Sequence, residues 1–135
     1  MIVIDSCVWI AYSNNKKTKE VEVLNTLLAN QVEIAVTSVI ILETIAGERD
    51  LKKYKEIKET LESFDLIKVD HDTIMLAIEI YRACQDIGQT MKYLDCMIAA
   101  SCIQYDLEIF SDDKHFDIMA EVTKRLKVYA CYERD

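Results

Sequence analysis

Asp5, Glu43, Asp95, Asp112 and Asp113 are the residues whose types and placement point to chemistry. Each stands in or beside an apolar run. Asp5 closes Met1-Ile2-Val3-Ile4, and Glu43 interrupts Val39-Ile40-Ile41-Leu42 and Ile45-Ala46. Asp95 opens Cys96-Met97-Ile98-Ala99-Ala100, and Asp112 and Asp113 follow Ile109-Phe110-Ser111. An isolated buried carboxylate costs several kcal/mol even after relaxation. Converging acids repel one another unless a cation lies between them. Hard oxygen donors in this number suit Mg²⁺ or Mn²⁺, so the pattern predicts a divalent-metal centre.

Taken singly, most of these acids have an ordinary explanation. Asp5 and Asp112 or Asp113 can cap helices. Asp95 can complement a helix dipole from the first turn. Glu43 has no such role: it sits mid-helix among aliphatic residues, with no basic residue within one helical turn. It is the joint occurrence that favours a metal site. Of the two histidines, His71 is expected at an exposed helix start, while His115, two residues after Asp113, borders the predicted site. Cys7 has no visible activating base, which argues against a thiol nucleophile.

The elements that must position these acids follow from periodicity. Strands are predicted at Met1–Asp5, Glu33–Thr37, Leu66–Val69, Glu108–Ser111 and Lys127–Cys131. Helices are predicted at Cys7–Tyr12, capped by Asp5 or Ser6, and at Lys19–Ala29. A helix capped by Ser38 ends at Gly47, and a charged amphipathic one spans Glu48–Ser63. Asp70 caps a long helix with the stripe Ile74, Ala77, Ile78, Tyr81 and Cys84, which ends at Gly88. Tyr93–Tyr105 is apolar nearly all round and therefore central, and Lys114–Thr123 is the last helix. Strands alternating with helices predict an α/β fold, with a parallel sheet of about five strands between helical layers. In such sheets, sites form beyond the carboxyl ends of the strands. Asp5, Asp112 and Asp113 all stand at predicted carboxyl ends.

A chain of 135 residues predicts a single domain over 1–135. It is 51% hydrophobic and 30% charged, which excludes a disordered segment. No apolar run approaches a membrane span and no signal peptide is visible, so no membrane partner is expected. The five cysteines, Cys7, Cys84, Cys96, Cys102 and Cys131, form no Cys-x-x-Cys pair and read as thiols in a reducing cytoplasm. The net charge of −8 argues against a nonspecific nucleic-acid binder. Basic residues nevertheless cluster at Lys16, Lys17 and Lys19, from Arg49 to Lys58, and at Lys124, Arg125 and Lys127. Solvated helix faces account for them most simply.

The motifs together resemble a PIN-domain nuclease along essentially the whole chain. Ile2-Val3-Ile4-Asp5-Ser6-Cys7-Val8-Trp9-Ile10 is similar to that family's opening strand and first acid. Leu42-Glu43-Thr44-Ile45-Ala46-Gly47 and Asp95-Cys96-Met97-Ile98-Ala99-Ala100 resemble its second and third acidic motifs, and Ile109-Phe110-Ser111-Asp112-Asp113-Lys114-His115-Phe116 its fourth. Length and the Trp9 context most resemble the VapC-type toxins of toxin–antitoxin pairs. The resemblance implies a three-layer α/β/α fold and a metal-dependent endoribonuclease that leaves a 5′-phosphate and a 3′-hydroxyl. It implies Asp5, Glu43, Asp95 and Asp113 as the metal-binding and catalytic set, assisted by the Ser6 hydroxyl. The site would hold one or two divalent ions, and the second ion, or a cation such as Lys92 or Lys114, would stabilise the leaving oxygen. The family often carries a second acid where His115 stands; Asp112 or Asp117 would compensate, or His115 itself would contact metal or phosphate. An RNA substrate, a cognate antitoxin, a homodimer and a cytoplasmic location follow as expectations. Two other readings stay open: a catalytically decayed PIN-fold interaction module, and an Asp/Mg²⁺ phosphotransfer domain.

Overall fold

Among residues 1–129, which the computed structural model describes, the apolar runs become five strands and the amphipathic stretches seven helices. In chain order they are β1 (Ile2–Ile4), α1 (Ser6–Ser13), α2 (Lys19–Ala29), β2 (Ile34–Thr37), α3 (Ser38–Ile45) and α4 (Leu51–Glu62). Then follow β3 (Asp65–Ile67), α5 (His71–Asp86), α6 (Tyr93–Gln104), β4 (Glu108–Phe110), α7 (His115–Thr123) and β5 (Lys127–Val128).

The strands form one parallel sheet in the order β3-β2-β1-β4-β5. Strand β1 lies at the centre, with Val3 opposite Ala35 on one side and Ile109 on the other. Parallel strands need covering on both faces, and right-handed crossovers decide which helices cover which. Connections running from β1 towards β3 put α1 to α4 on one face. Those running to β4 and β5 put α5 to α7 on the other. The contacts agree: α1 meets α2 and α3, α3 meets α4, and α5, α6 and α7 pack on one another. The result is the expected three-layer α/β/α arrangement. Val3, Ile4, Ala35, Ile109 and Phe110 are fully buried at its centre. Trp9, also fully buried, stacks edge-on against Tyr12 and lies 5.6 Å from the Phe64 ring.

Several boundaries differ from the sequence reading, for local reasons. The described strands are shorter than predicted, and at the end of β1 the reason is that Asp5 turns to capping α1. Thr37, not Ser38, caps α3: its hydroxyl accepts the Ile40 N–H at 3.1 Å. Helix α4 starts at Leu51, because Asp50 accepts the Lys53 N–H. Gly47 follows the C-cap Ala46 without a left-handed φ, whereas Gly88 (φ +81°) closes α5 as predicted. There the Gln89 and Gly88 N–H groups donate to Cys84 and Gln85 carbonyls, the paired bonds of a Schellman turn. The stripe foreseen on α5 is rotated. Thr73, Ala77, Ile80 and Cys84 face the core, while Ile74 and Ile78 stay exposed. Helix α6 is central, as expected, with Asp95, Cys96 and Ile98 to Cys102 buried. The last strand is described only as Lys127–Val128; the remainder of its predicted span, with Cys131, lies outside the described residues.

Candidate active site

The winding of the sheet reverses between β1 and β4, the switch point at which sheets of this kind open a crevice beyond the carboxyl ends of the strands. Asp5 leaves β1 at this point and Ser111 leaves β4. Asp5 is the N-cap of α1, and its Oδ1 accepts the Ser6 N–H at 2.8 Å. Its Oδ2 accepts the Ser111 hydroxyl at 2.7 Å and the Cys7 thiol at 3.4 Å. The Ser111 oxygen in turn accepts the Asp113 N–H at 3.0 Å. Asp113 Oδ1 accepts the His115 N–H at 2.9 Å and stands 2.9 Å from His115 Nδ1. On the other side, the Ser6 hydroxyl donates to Glu43 Oε1 at 3.3 Å, which ties α3 to the end of β1. One hydrogen-bonded run therefore reaches from Glu43 to His115, with Asp5 at its middle.

Asp95 enters from the first turn of α6, with its carboxylate, an Asp113 oxygen and a His115 nitrogen all within 4.8 Å of one another. Burial, followed by the charges of Asp5 and Asp113, pushes the Asp95 carboxyl up to about 6. Burial raises Glu43, and Asp5 and Asp95 add to it. Burial also raises Asp5, against the hydrogen bonds from Ser111, Ser6 and Cys7. Lys92, the N-cap of α6, draws Asp95 and Glu43 back down, and His115 does the same for Asp95. Asp5, Glu43, Asp95 and Asp113 thus share one electrostatic neighbourhood. Its donors are carboxylate oxygens with one imidazole, and their mutual repulsion is what a divalent cation would relieve. The donor set fits Mg²⁺ or Mn²⁺.

Not every acid is buried as the sequence reading held. Asp5 and Asp95 are, Glu43 and Asp113 are half-buried, and Asp112 is exposed, with its interaction directed at Cys7. The Cys7 thiol is pushed well above the usual range by burial and then by the Asp5 charge, so it is no thiolate nucleophile. Lys114 caps α7 and is exposed, as is Asp117 in the same first turn. Ser111, inside the fourth acidic motif, has a role that the motif does not announce; a hydroxyl ending an apolar strand beside two acids is its one signal in the sequence. Beyond Glu43 lies a cleft of about 250 Å³ bordered by Ser13, Asn14, Thr44 and Glu48. Ser13 also borders a groove of about 560 Å³ that carries Lys16 and Lys17.

Known proteins share this fold. The profile of the PIN domain family matches residues 2–122, a span that contains all four acids. A VapC ribonuclease of Mycobacterium bovis is 31% identical over 127 residues, which are 91% of this chain and 94% of that protein. Ribonuclease VapC11 of Mycobacterium tuberculosis matches to the same extent. Among solved structures, the DNA-bound VapBC of Salmonella typhimurium superposes with a TM-score of 0.76 at 15% identity, covering 95% of this chain and 96% of that one. FitAcB of Neisseria gonorrhoeae gives 0.71 at 19% identity, covering 96% of each. These two likenesses concern the fold; the profile and the curated relatives concern lineage. The chain belongs to the PIN domain family.

Proposed function

We propose that this protein is a divalent-metal-dependent endoribonuclease and the toxin of a toxin–antitoxin pair. The observation that carries the reading is the convergence of Asp5, Glu43, Asp95 and Asp113 on one neighbourhood at the carboxyl ends of β1 and β4. Those four residues would hold the ion. Bound there, Mg²⁺ or Mn²⁺ would acidify a water and neutralise the scissile phosphate. The chain's own side chains do the rest. Ser111 and the Ser6 N–H fix both oxygens of Asp5, so its orientation is set before substrate arrives. The Ser6 hydroxyl fixes Glu43. Lys92, exposed and attracted to Asp95 and Glu43, would meet charge building on the leaving oxygen.

Two partners belong to this reading. The antitoxin would lie along the groove carrying Lys16 and Lys17 and extend a basic side chain towards Glu43 and Glu48 in the adjoining cleft. A second copy would cover the apolar groove of about 400 Å³ between α5 and α6, where Ile74, Ile78, Tyr81, Tyr93 and Met97 meet. The toxin–antitoxin complexes that share its fold support an antitoxin partner, and the exposure of Ile74, Ile78 and Tyr93 on the α5–α6 groove supports the second copy.

Purified protein incubated with total cellular RNA tests the central claim, with Mg²⁺ or Mn²⁺, with EDTA, and beside Asp5→Asn. Discrete metal-dependent fragments with 5′-phosphate ends are expected, and Asp5→Asn should abolish them while leaving the fold intact. Cleavage retained in well-folded Asp5→Asn would sink the assignment. No cleavage by metal-loaded, antitoxin-free protein would point instead to an interaction module.

A further inference from the structure

His115 is the one nitrogen donor in a cluster otherwise made of carboxylates. The other histidine, His71, starts α5 and is exposed. We propose that His115 supplies an imidazole nitrogen to the cation held with Asp95 and Asp113, and so tunes the centre towards Mn²⁺ over Mg²⁺. The proposal rests on the metal-dependent reading above and adds a preference to it.

Three observations carry it. One potential ligand atom each from Asp95, Asp113 and His115 falls within 4.8 Å of the other two, close enough to share an ion. Asp113 Oδ1 grips His115 twice, at the backbone N–H and at Nδ1, both at 2.9 Å, which fixes the ring against the carboxylates from the first turn of α7. The ring's side chain is 46% exposed, so it is not packed away as a core residue. His115 Nδ1 stands 2.9 Å from Asp113 Oδ1, so a cation shared by these two atoms would take the place of the proton that otherwise joins them. Mg²⁺ prefers oxygen and keeps its waters, whereas later divalent ions accept imidazole. An oxygen-only set discriminates less between the two ions. The imidazole shifts the balance.

Pulsed electron paramagnetic resonance on the full chain loaded with Mn²⁺ tests this directly, with and without ¹⁵N-histidine, beside His115→Asp. A histidine-nitrogen modulation that follows the isotope and vanishes in His115→Asp is expected. Calorimetric titration supplies a second readout: His115→Asp should lower the ratio of Mn²⁺ to Mg²⁺ affinity by about tenfold. Mn²⁺ bound to the wild type without nitrogen coupling, or an unchanged ratio in the variant, would overturn the assignment and leave metal-dependent cleavage standing. Folded wild-type protein that takes up neither ion would overturn both.

Discussion

At the scale of single residues, the site sets opposing demands on Asp5 and Asp95. Both are buried, and folding brings them near other acids. Folding raises Asp95 from the ordinary 3.8 to about 6. An acid raised in this way binds more protons in the native state than in the unfolded chain. Its contribution is therefore favourable at low pH and is lost as pH climbs from the unfolded value through the folded one. In EDTA, Asp95→Asn is expected to be more stable than the wild type at neutral pH, by roughly 1–3 kcal/mol, and the gap should close below about pH 4. Urea unfolding of both proteins across that window measures it; a gap independent of pH would refute the electrostatic account. Ser111 acts on the same carboxylate through a short hydrogen bond. Ser111→Ala leaves one Asp5 oxygen without its strongest partner, and a loss of about 10- to 100-fold in cleavage rate or metal affinity is expected. Thermal unfolding recorded alongside would show whether collapse of the fold, not loss of orientation, is responsible.

Element by element, helix ends divide into those that serve stability and those that serve the site. Helices α2, α3, α4 and α5 start with side-chain caps from Thr18, Thr37, Asp50 and Asp70. Helices α6 and α7 start at Lys92 and Lys114, which make no side-chain cap bond, and their first turns carry the site's Asp95 and His115. Thr37 is fully buried, so Thr37→Val keeps the shape but orphans the Ile40 N–H at the start of the helix that bears Glu43. A cost of about 1 kcal/mol in urea unfolding is expected; an unchanged midpoint would show that the cap is redundant. This division also explains what could be read from sequence. The capped helices and apolar strands announced themselves through periodicity, and Lys19–Ala29 falls on its predicted limits. The four acids were legible because apolar neighbours made them conspicuous. The rotation of α5 was not, because Ile74 and Ile78 satisfy the same spacing as the residues that in fact face the core. Ser111 was hidden for a different reason: its partner is more than 100 positions away.

For the molecule as a whole, the exposed groove between α5 and α6 and the acidic crevice are separate features. If the groove is where a second copy sits, Ile78→Glu should give a monomer by light scattering while Mn²⁺ binding persists, since Ile78 is 46% exposed and lies outside the carboxylate cluster. A variant that stays dimeric would move the contact elsewhere. The sheet order has one more consequence, and it concerns time. Strand β1 is made first, but it becomes central only when β4 joins it, and Asp5 meets Ser111 across a separation of 106 residues. Non-local pairings of this kind close late. A growing polypeptide therefore carries Asp5 and Glu43 for most of its synthesis without the half of the crevice that Ser111, Asp113 and His115 complete. For a protein proposed to cut RNA, that delay keeps the blade unassembled until the segment bearing Ser111, Asp113 and His115 has emerged from the machinery, itself largely RNA, that is making it.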